Sequence, residues 1–330
     1  MAELDAIVAA VRASRGFAHK QDISAVMGRL QGTPAAPGGL PNGDDCAVLP
    51  DPSGGSYLLF AIEGLVQDFV EAMPWFAGYS GVLVNLSDIA AMGGRPTAVV
   101  DALWSAGEAT AAELLAGMRC AAERYGVPLV GGHTNLRAGG AQLAVAVLGR
   151  ATRLIRSFTA RPGDTLLMAV DLRGRWHDPY PFWDASTEAP AERLRGDMEL
   201  LPALAESGLV DAGKDISMAG LLGTLLMLVE CSGVGARVVL DGIPRPAGLP
   251  PGDAALLRWL AAFPSFGHVL SVRPAVAAQV AARFTSRGIA CAAIGEVVAG
   301  SRLDLSLDGR EATLWDTAEQ AFITAGACHA

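Results

Sequence analysis

Strand-length apolar runs alternate with helix-length ones along the whole chain, and this alternation limits the fold more than any other feature. Residues 3–13 place Leu4, Ile7, Val8 and Val11 at helical spacing, and 21–30 reads as a second short helix with Asp22 as its N-cap. Residues 31–43, rich in Gly and Pro, read as a loop. Strands are expected at 46–50 and 57–62, joined by the turn DPSGG. A long helix runs from Trp75 to Met92 and stops at Gly93-Gly94. A strand at 96–104, a helix at 110–125, a strand at 127–132 running into a glycine turn, and a strand at 142–149 follow. After Arg161-Pro162-Gly163 the pattern restarts with a strand at 163–172. Helices are expected at 191–207, 217–231, 252–262 and 274–287, and strands at 235–240, 267–272, 290–298 and 302–307. Interleaving in both halves makes the class α/β (α+β). The 330 residues accommodate about two domains, taken as 1–155 and 156–330.

Composition removes several function classes. With 51% apolar and 18% charged residues, the chain is no disordered protein. A net charge of -9 gives no basic footprint for nucleic acid. Cys46, Cys120, Cys231, Cys291 and Cys328 form no CxxC pair, which argues against a disulfide framework or zinc site and for a reducing compartment. No signal peptide is visible, so the expected location is the cytoplasm. The most apolar stretch, Met218 to Val229, is too short to span a bilayer and reads as a buried helix, so no membrane partner is expected.

Acidic residues fall at element junctions: Asp44-Asp45 before a strand, Glu63 at a strand end, Asp88 inside an apolar helix, and Asp215 at a helix start. Asp44 and Asp215 also fit plain capping roles. Asp88 does not, because Leu83, Val84, Leu86, Ile89 and Ala90 surround it and a buried carboxylate needs a partner. Oxygen-only ligands suit Mg2+, which commonly uses one or two carboxylates plus substrate phosphates. Gly131, Gly132, His133 and Thr134 follow a strand, either as a phosphate-approaching turn or as an ordinary strand end. The chain has only two lysines, Lys20 and Lys214. Lys214, beside Asp215, either meets phosphate oxygens or is a solvated surface residue. No Walker A, GxSxG or HExxH sequence occurs, and no GxGxxG opens a helix after a strand.

Taken in order, GDDCAVL (43–49), VNLSDIAAMGGRP (84–96), LVGGHTN (129–135) and KDISMAGLLGTL (214–225) resemble the aminoimidazole ribonucleotide (AIR) synthetase-like, or PurM-like, superfamily. That group includes AIR synthetase, thiamine-monophosphate kinase, selenide,water dikinase and a hydrogenase-maturation dehydratase. The resemblance covers roughly residues 20–300. It is strongest to the AIR synthase-related members, which share the HKQDI, PFWDA and FPSFGHVLSV segments. It implies a two-domain fold whose N-terminal domain pairs across a homodimer and whose C-terminal domain covers an ATP cleft. Carried over by position, it implies Mg2+ on Asp45, Glu63, Asp88 and Asp215. It also implies nucleotide contacts from Asp44, Asn85, Gly131, Gly132, Thr134 and Lys214.

The implied function is ATP- and Mg2+-dependent phosphoryl transfer to an oxygen acceptor, of amide or carboxamide type, on a small molecule. His133 is then a candidate general acid or base and Lys214 a candidate catalytic contact to the γ-phosphate. Two alternatives stand beside it: a selenophosphate- or thiamine-phosphate-type kinase, and a non-catalytic nucleotide-binding scaffold. Residues 14–22 carry a lysine but no cysteine, which opposes selenide chemistry. The histidine after Gly131-Gly132 departs from the acidic residue of thiamine-monophosphate kinase. A scaffold would not need the complete acidic set. The segment 174–190, with Trp176, His177, Tyr180, Phe182, Trp183 and Asp184, is either a substrate-facing lid or a surface-covering loop.

Overall fold

The computed structural model describes residues 4–30 and 40–324, so the expected 31–43 loop lies largely outside the described residues. The chain opens with α1 (Leu4–Ala13) and α2 (Arg15–Leu30). The second helix starts earlier than its apolar spacing suggests. The Ser14 carbonyl accepts the Ala18 N–H and so begins the new helix, and Asp22 lies in the helix body rather than at its cap.

Two compact units form. One contains the described chain from residue 40 through Leu154, together with Ala189–Glu206. The other contains α1, α2, Ile155–Glu188 and the chain from Ser207. This partition differs from 1–155 and 156–330 in where it places α1, α2 and 189–206. The reason is packing: Leu4, Ile7, Val8, Val11 and Phe17 belong to the core that also holds Leu222 and Leu226.

The first unit is built on a sheet of β1 (Ala47–Pro50), β2 (Tyr57–Gly64), β3 (Arg95–Trp104), β4 (Leu129–Asn135) and β5 (Gln142–Ala151), in the order β1-β2-β5-β3-β4. Only β3 and β4 pair in parallel. After a short α3 (Gln67–Ala72), α4 (Pro74–Ala91) and α5 (Glu108–Tyr125) cover one sheet face. That face presents Leu59, Val99, Leu103, Val145 and Val147, all fully buried. The opposite face presents Phe60, Ile62, Val100 and Leu148, all exposed. Gly93, at φ +75°, ends α4 as its glycine pair predicts. The two helices touch backbone to backbone at Gly78 and Gly117.

The single helix expected at 191–207 is two, α6 (Ala191–Met198) and α7 (Leu200–Glu206). Pro202 explains the break, since it has no N–H for the Met198 carbonyl. Arg95 at the start of β3 anchors both pieces through Glu199 and Glu206. Gly131 to Thr134 lie within β4, at the sheet edge, and not in a turn.

In the second unit, β6 (Thr165–Val170) precedes a small sheet of β7 (Arg175–Trp176), β8 (Phe182–Asp184) and β11 (Phe263–Pro264). The main sheet adds β9 (Ala212–Asp215), β10 (Gly235–Val239), β12 (Gly267–Val272), β13 (Ala290–Val298), β14 (Arg302–Leu307) and β15 (Arg310–Asp316). Its order is β15-β14-β10-β13-β6-β12-β9. Helix α8 (Gly220–Ser232) runs through the core, and α9 (Asp253–Leu260) and α10 (Pro274–Thr285) pack outside it. Asp215 ends the edge strand β9 and is not the cap of α8, whose N-cap is Ala219. The helix waits for Gly220, at φ +66°, where any Cβ would lie 2.1 Å from the Leu260 carbonyl oxygen. Among the described residues, no helix is long and apolar enough to cross a membrane.

Candidate active site

Helix α4 holds Asn85, Ser87 and Asp88 inside a largely apolar surface. Asn85 is fully buried, and its Nδ2 donates to the Gly81 carbonyl one turn back at 2.8 Å. Its Oδ1 is buried without a hydrogen-bond partner, an acceptor set toward a donor or cation. Asp88, one turn further on, is 7% exposed. The half-buried Asp45 arrives from the segment before β1. Carboxylate oxygens of Asp45 and Asp88 lie within 4.8 Å of each other. Two anions at that spacing repel by roughly 3 kcal/mol at an effective dielectric near 20. Oxygen donors at this separation fit a hard divalent cation, which both relieves the repulsion and uses the donor chemistry. Asp44 is half-buried next to Asp45.

Strand register decides what the remaining first-unit residues can do. Glu63 on β2 lies opposite Val145 on β5, Val145 opposite Asp101 on β3, and Asp101 opposite Gly132 on β4. Directly opposed residues project to the same face. This row therefore lies on the face covered by α4, whose Gly81 sits over Val145. Glu63, at the outer end, is exposed. His133 pairs with Ala102 and so projects to the open face, away from Asp101 and from α4. It is exposed there, with its ring 5.9 Å from Trp104. The acid–base role expected for His133 does not fit that placement. Asp101 is the residue the sequence reading missed. The signal was present in PTAVVDALW, where Asp101 shares parity with the buried Val99 and Leu103.

In the second unit, Lys214 and Asp215 are consecutive on β9 and leave it on opposite faces. Lys214 lies opposite Val269, a core residue, and Asp215 opposite His268. Both are buried, so the solvated-lysine alternative does not hold. His268 is 1% exposed, and burial pushes its imidazole down to about 3, leaving it neutral.

The aromatic segment is part of its unit's packing. Trp183 is buried and meets Trp176 and Trp259 edge to face at 5.3 and 5.5 Å. Arg258 lies over Trp176 at 4.0 Å. Burial alone would raise the Asp184 carboxyl, but hydrogen bonds from Thr187, the Ser186 N–H and His177 hold it below the usual carboxylate range. These contacts turn Trp176, Trp183 and Asp184 inward, as in a covering layer rather than a lid.

Comparison with known proteins now places the chain. Residues 43–151 match the family "AIR synthase related protein, N-terminal domain", and residues 167–308 its C-terminal counterpart. The chain belongs to this AIR synthase related family and has its two-domain, PurM-like α/β fold. An uncharacterized protein of Synechocystis sp. is 46% identical over 91% of this chain and 92% of its own length. The thiamine-monophosphate kinase of Synechococcus elongatus is 32% identical over 62% of this chain and 68% of the kinase. Among solved structures, T. maritima PurL complexed with ATP superposes with a TM-score of 0.67 at 21% identity, covering 82% of this chain and 45% of PurL. The chain thus spans about half the length of the PurL structures it matches.

Proposed function

We propose that the chain is an ATP- and Mg2+-dependent enzyme that transfers a phosphoryl group to an oxygen acceptor of amide or carboxamide type on a small molecule. The observation that carries this reading is the approach of Asp45 and Asp88 on a largely apolar helix face. A structural carboxylate would gain nothing from a second anion so close. Relatives that use a phosphoryl donor, such as thiamine-monophosphate kinase, support the nucleotide, as does the ATP bound in the PurL structure.

In this reading Asp45, Asp88 and Asp215 are the metal-holding carboxylates, with Glu63 a further oxygen donor. Asp44, Asn85, Lys214 and the backbone of Gly131, Gly132 and Thr134 are the nucleotide contacts. Bound Mg2+ would neutralise the triphosphate and draw charge from the transferring phosphoryl group. The protein's own share is positioning and fixed electrostatics. The open face of the first unit's sheet is the proposed contact with a second copy.

The test is equilibrium binding of ATP with and without Mg2+, followed by ADP release in the presence of small carboxamides. Mg2+-dependent ATP binding that Asp88→Asn weakens at least tenfold is expected. Absence of ATP binding in Mg2+, or full affinity in Asp88→Asn, would overturn the reading.

A further inference from the structure

Strand β3 carries one ionisable side chain on the face that otherwise holds only its core. Val99 and Leu103 are fully buried there, and Asp101 stands between them, half-buried. On one side it has the Val145 side chain, and on the other only Gly132. Gly132 gives the carboxylate its room. A Cβ at 132 would lie 2.2 Å from Asp101 Oδ1 and 2.7 Å from its Cγ. Among the described residues Asp101 forms no ion pair. Burial raises its carboxyl above the usual range, and its own backbone N–H offsets only part of that.

A valine at this position would continue the core, so the carboxylate costs stability where it stands. Among the described residues its one hydrogen-bond donor is its own backbone N–H, and the backbone it lies against at Gly132 carries no side chain. A planar group with N–H donors complements both features. The row that holds Asp101 also ends in Glu63, two strands or roughly 10 Å away.

We propose that Asp101 and Gly132 form the acceptor end of the site, where the Asp101 carboxylate receives the N–H proton of an amide or amidine nitrogen on the acceptor. This rests on the phosphoryl-transfer reading above. On an amide acceptor, one bond forms, one breaks and one proton moves. The amide oxygen forms a bond to the γ-phosphorus. The bond from that phosphorus to the β–γ bridging oxygen breaks, and its electron pair leaves on ADP. The N–H proton passes to Asp101, so the product is an O-phosphorylated imidate with a neutral nitrogen. A desolvated carboxylate is a stronger base for this transfer than a solvated one.

Acetamidine is a suitable probe, because at neutral pH it is a planar, amide-sized cation with N–H donors, and tetramethylammonium is the control of equal charge without N–H groups. The full chain is titrated with each, reading the carboxyl 13C resonance of Asp101. Acetamidine is expected to shift that resonance saturably and tetramethylammonium to leave it unmoved. Asp101→Asn and Gly132→Ala should each weaken acetamidine binding at least tenfold by ligand-observed saturation transfer, with melting curves confirming that they fold. If Gly132→Ala does not fold, the wild-type resonance and Asp101→Asn decide the matter. No saturable shift, an equal shift with tetramethylammonium, or a folded Asp101→Asn that binds as tightly would overturn the proposal. Mg2+-ATP binding measured on the same samples separates the two readings. Acetamidine bound at Asp101 without ATP binding sinks the nucleotide reading and leaves the N–H site, whereas ATP binding without acetamidine does the reverse.

Discussion

A carboxylate oxygen of Asp45, from the segment before β1, lies within 4.8 Å of one from Asp88, in the body of α4. The fold brings two carboxylates together from elements far apart in the sequence. A divalent ion bound there stabilises the native state by mass action. At a hundredfold excess over its Kd that amounts to about 2.7 kcal/mol. Mg2+ is therefore expected to raise the Tm of the wild-type chain, measured by differential scanning calorimetry. Asp88→Asn should lose most of that rise. An unchanged Mg2+ response in the variant would show that the pair holds no ion.

The α4–α5 crossing makes a second prediction. A Cβ at Gly117 would lie 1.9 Å from the Trp75 carbonyl oxygen, and one at Gly78 2.0 Å from the Leu114 carbonyl oxygen. Both obstacles are backbone, so neither can swing aside. Gly117→Ala must part the helices and should cost about 1–3 kcal/mol, more than its gain in helix propensity. Because α4 carries Asn85 and Asp88, the same variant should weaken Mg2+ binding. Urea denaturation read alongside Mg2+ titration checks both effects. A variant as stable as wild type would show that the helices do not pack this closely.

How much of this was legible in the sequence depends on where the governing contact lies. Helix α4 and the strands flanking it follow from local spacing and from Gly93-Gly94, so they read directly. The start of α2 depends on a hydrogen bond to Ser14, and the split between α6 and α7 on one proline. Both are local but subtle. Register is different. Gly131 to Thr134 look like a turn in isolation and become a strand only by pairing with β3. That pairing also sends His133 to the open face and sets Asp101 against Gly132. A histidine beside two glycines attracts notice, whereas an aspartate inside an apolar strand is noticed only once its parity is counted. The short strands β7, β9 and β11 carry too few residues for any periodicity.

His268 gives the pH prediction. Its Nδ1 is buried without a hydrogen-bond partner, and its folded value of about 3 lies below an unfolded value near 6.5. Between those limits the unfolded chain binds a proton that the native chain does not. Stability thus rises with pH across that window, by about 1.4 kcal/mol per unit from this residue, and the contribution is flat above pH 6.5. His268→Leu removes both the titration and an unpaired polar atom. The stability difference between wild type and variant, from denaturant melts at pH 5 and 7, should favour the variant more at pH 5. An equal difference at the two pH values would show that His268 protonates freely in the folded protein.

The open sheet face yields the last prediction. Ile62 is 64% exposed and Phe60 48%, and both continue onto Leu148 and Val100 across β5 and β3. Removing such side chains from water is worth about 1.5–3 kcal/mol each when burial is complete. A contiguous apolar face of this kind has the character of a contact surface, which is why it carries the proposed pairing. With a second copy seated on it, the chain should sediment as twice its 34.0 kDa mass. Ile62→Lys places a charge at the middle of that contact without touching the face under α4 and α5. It should shift the equilibrium to monomer in sedimentation velocity while leaving the far-ultraviolet circular dichroism spectrum unchanged. A wild-type chain that sediments as a monomer at tens of micromolar, or an Ile62→Lys chain that stays dimeric, would remove this face as the site of pairing.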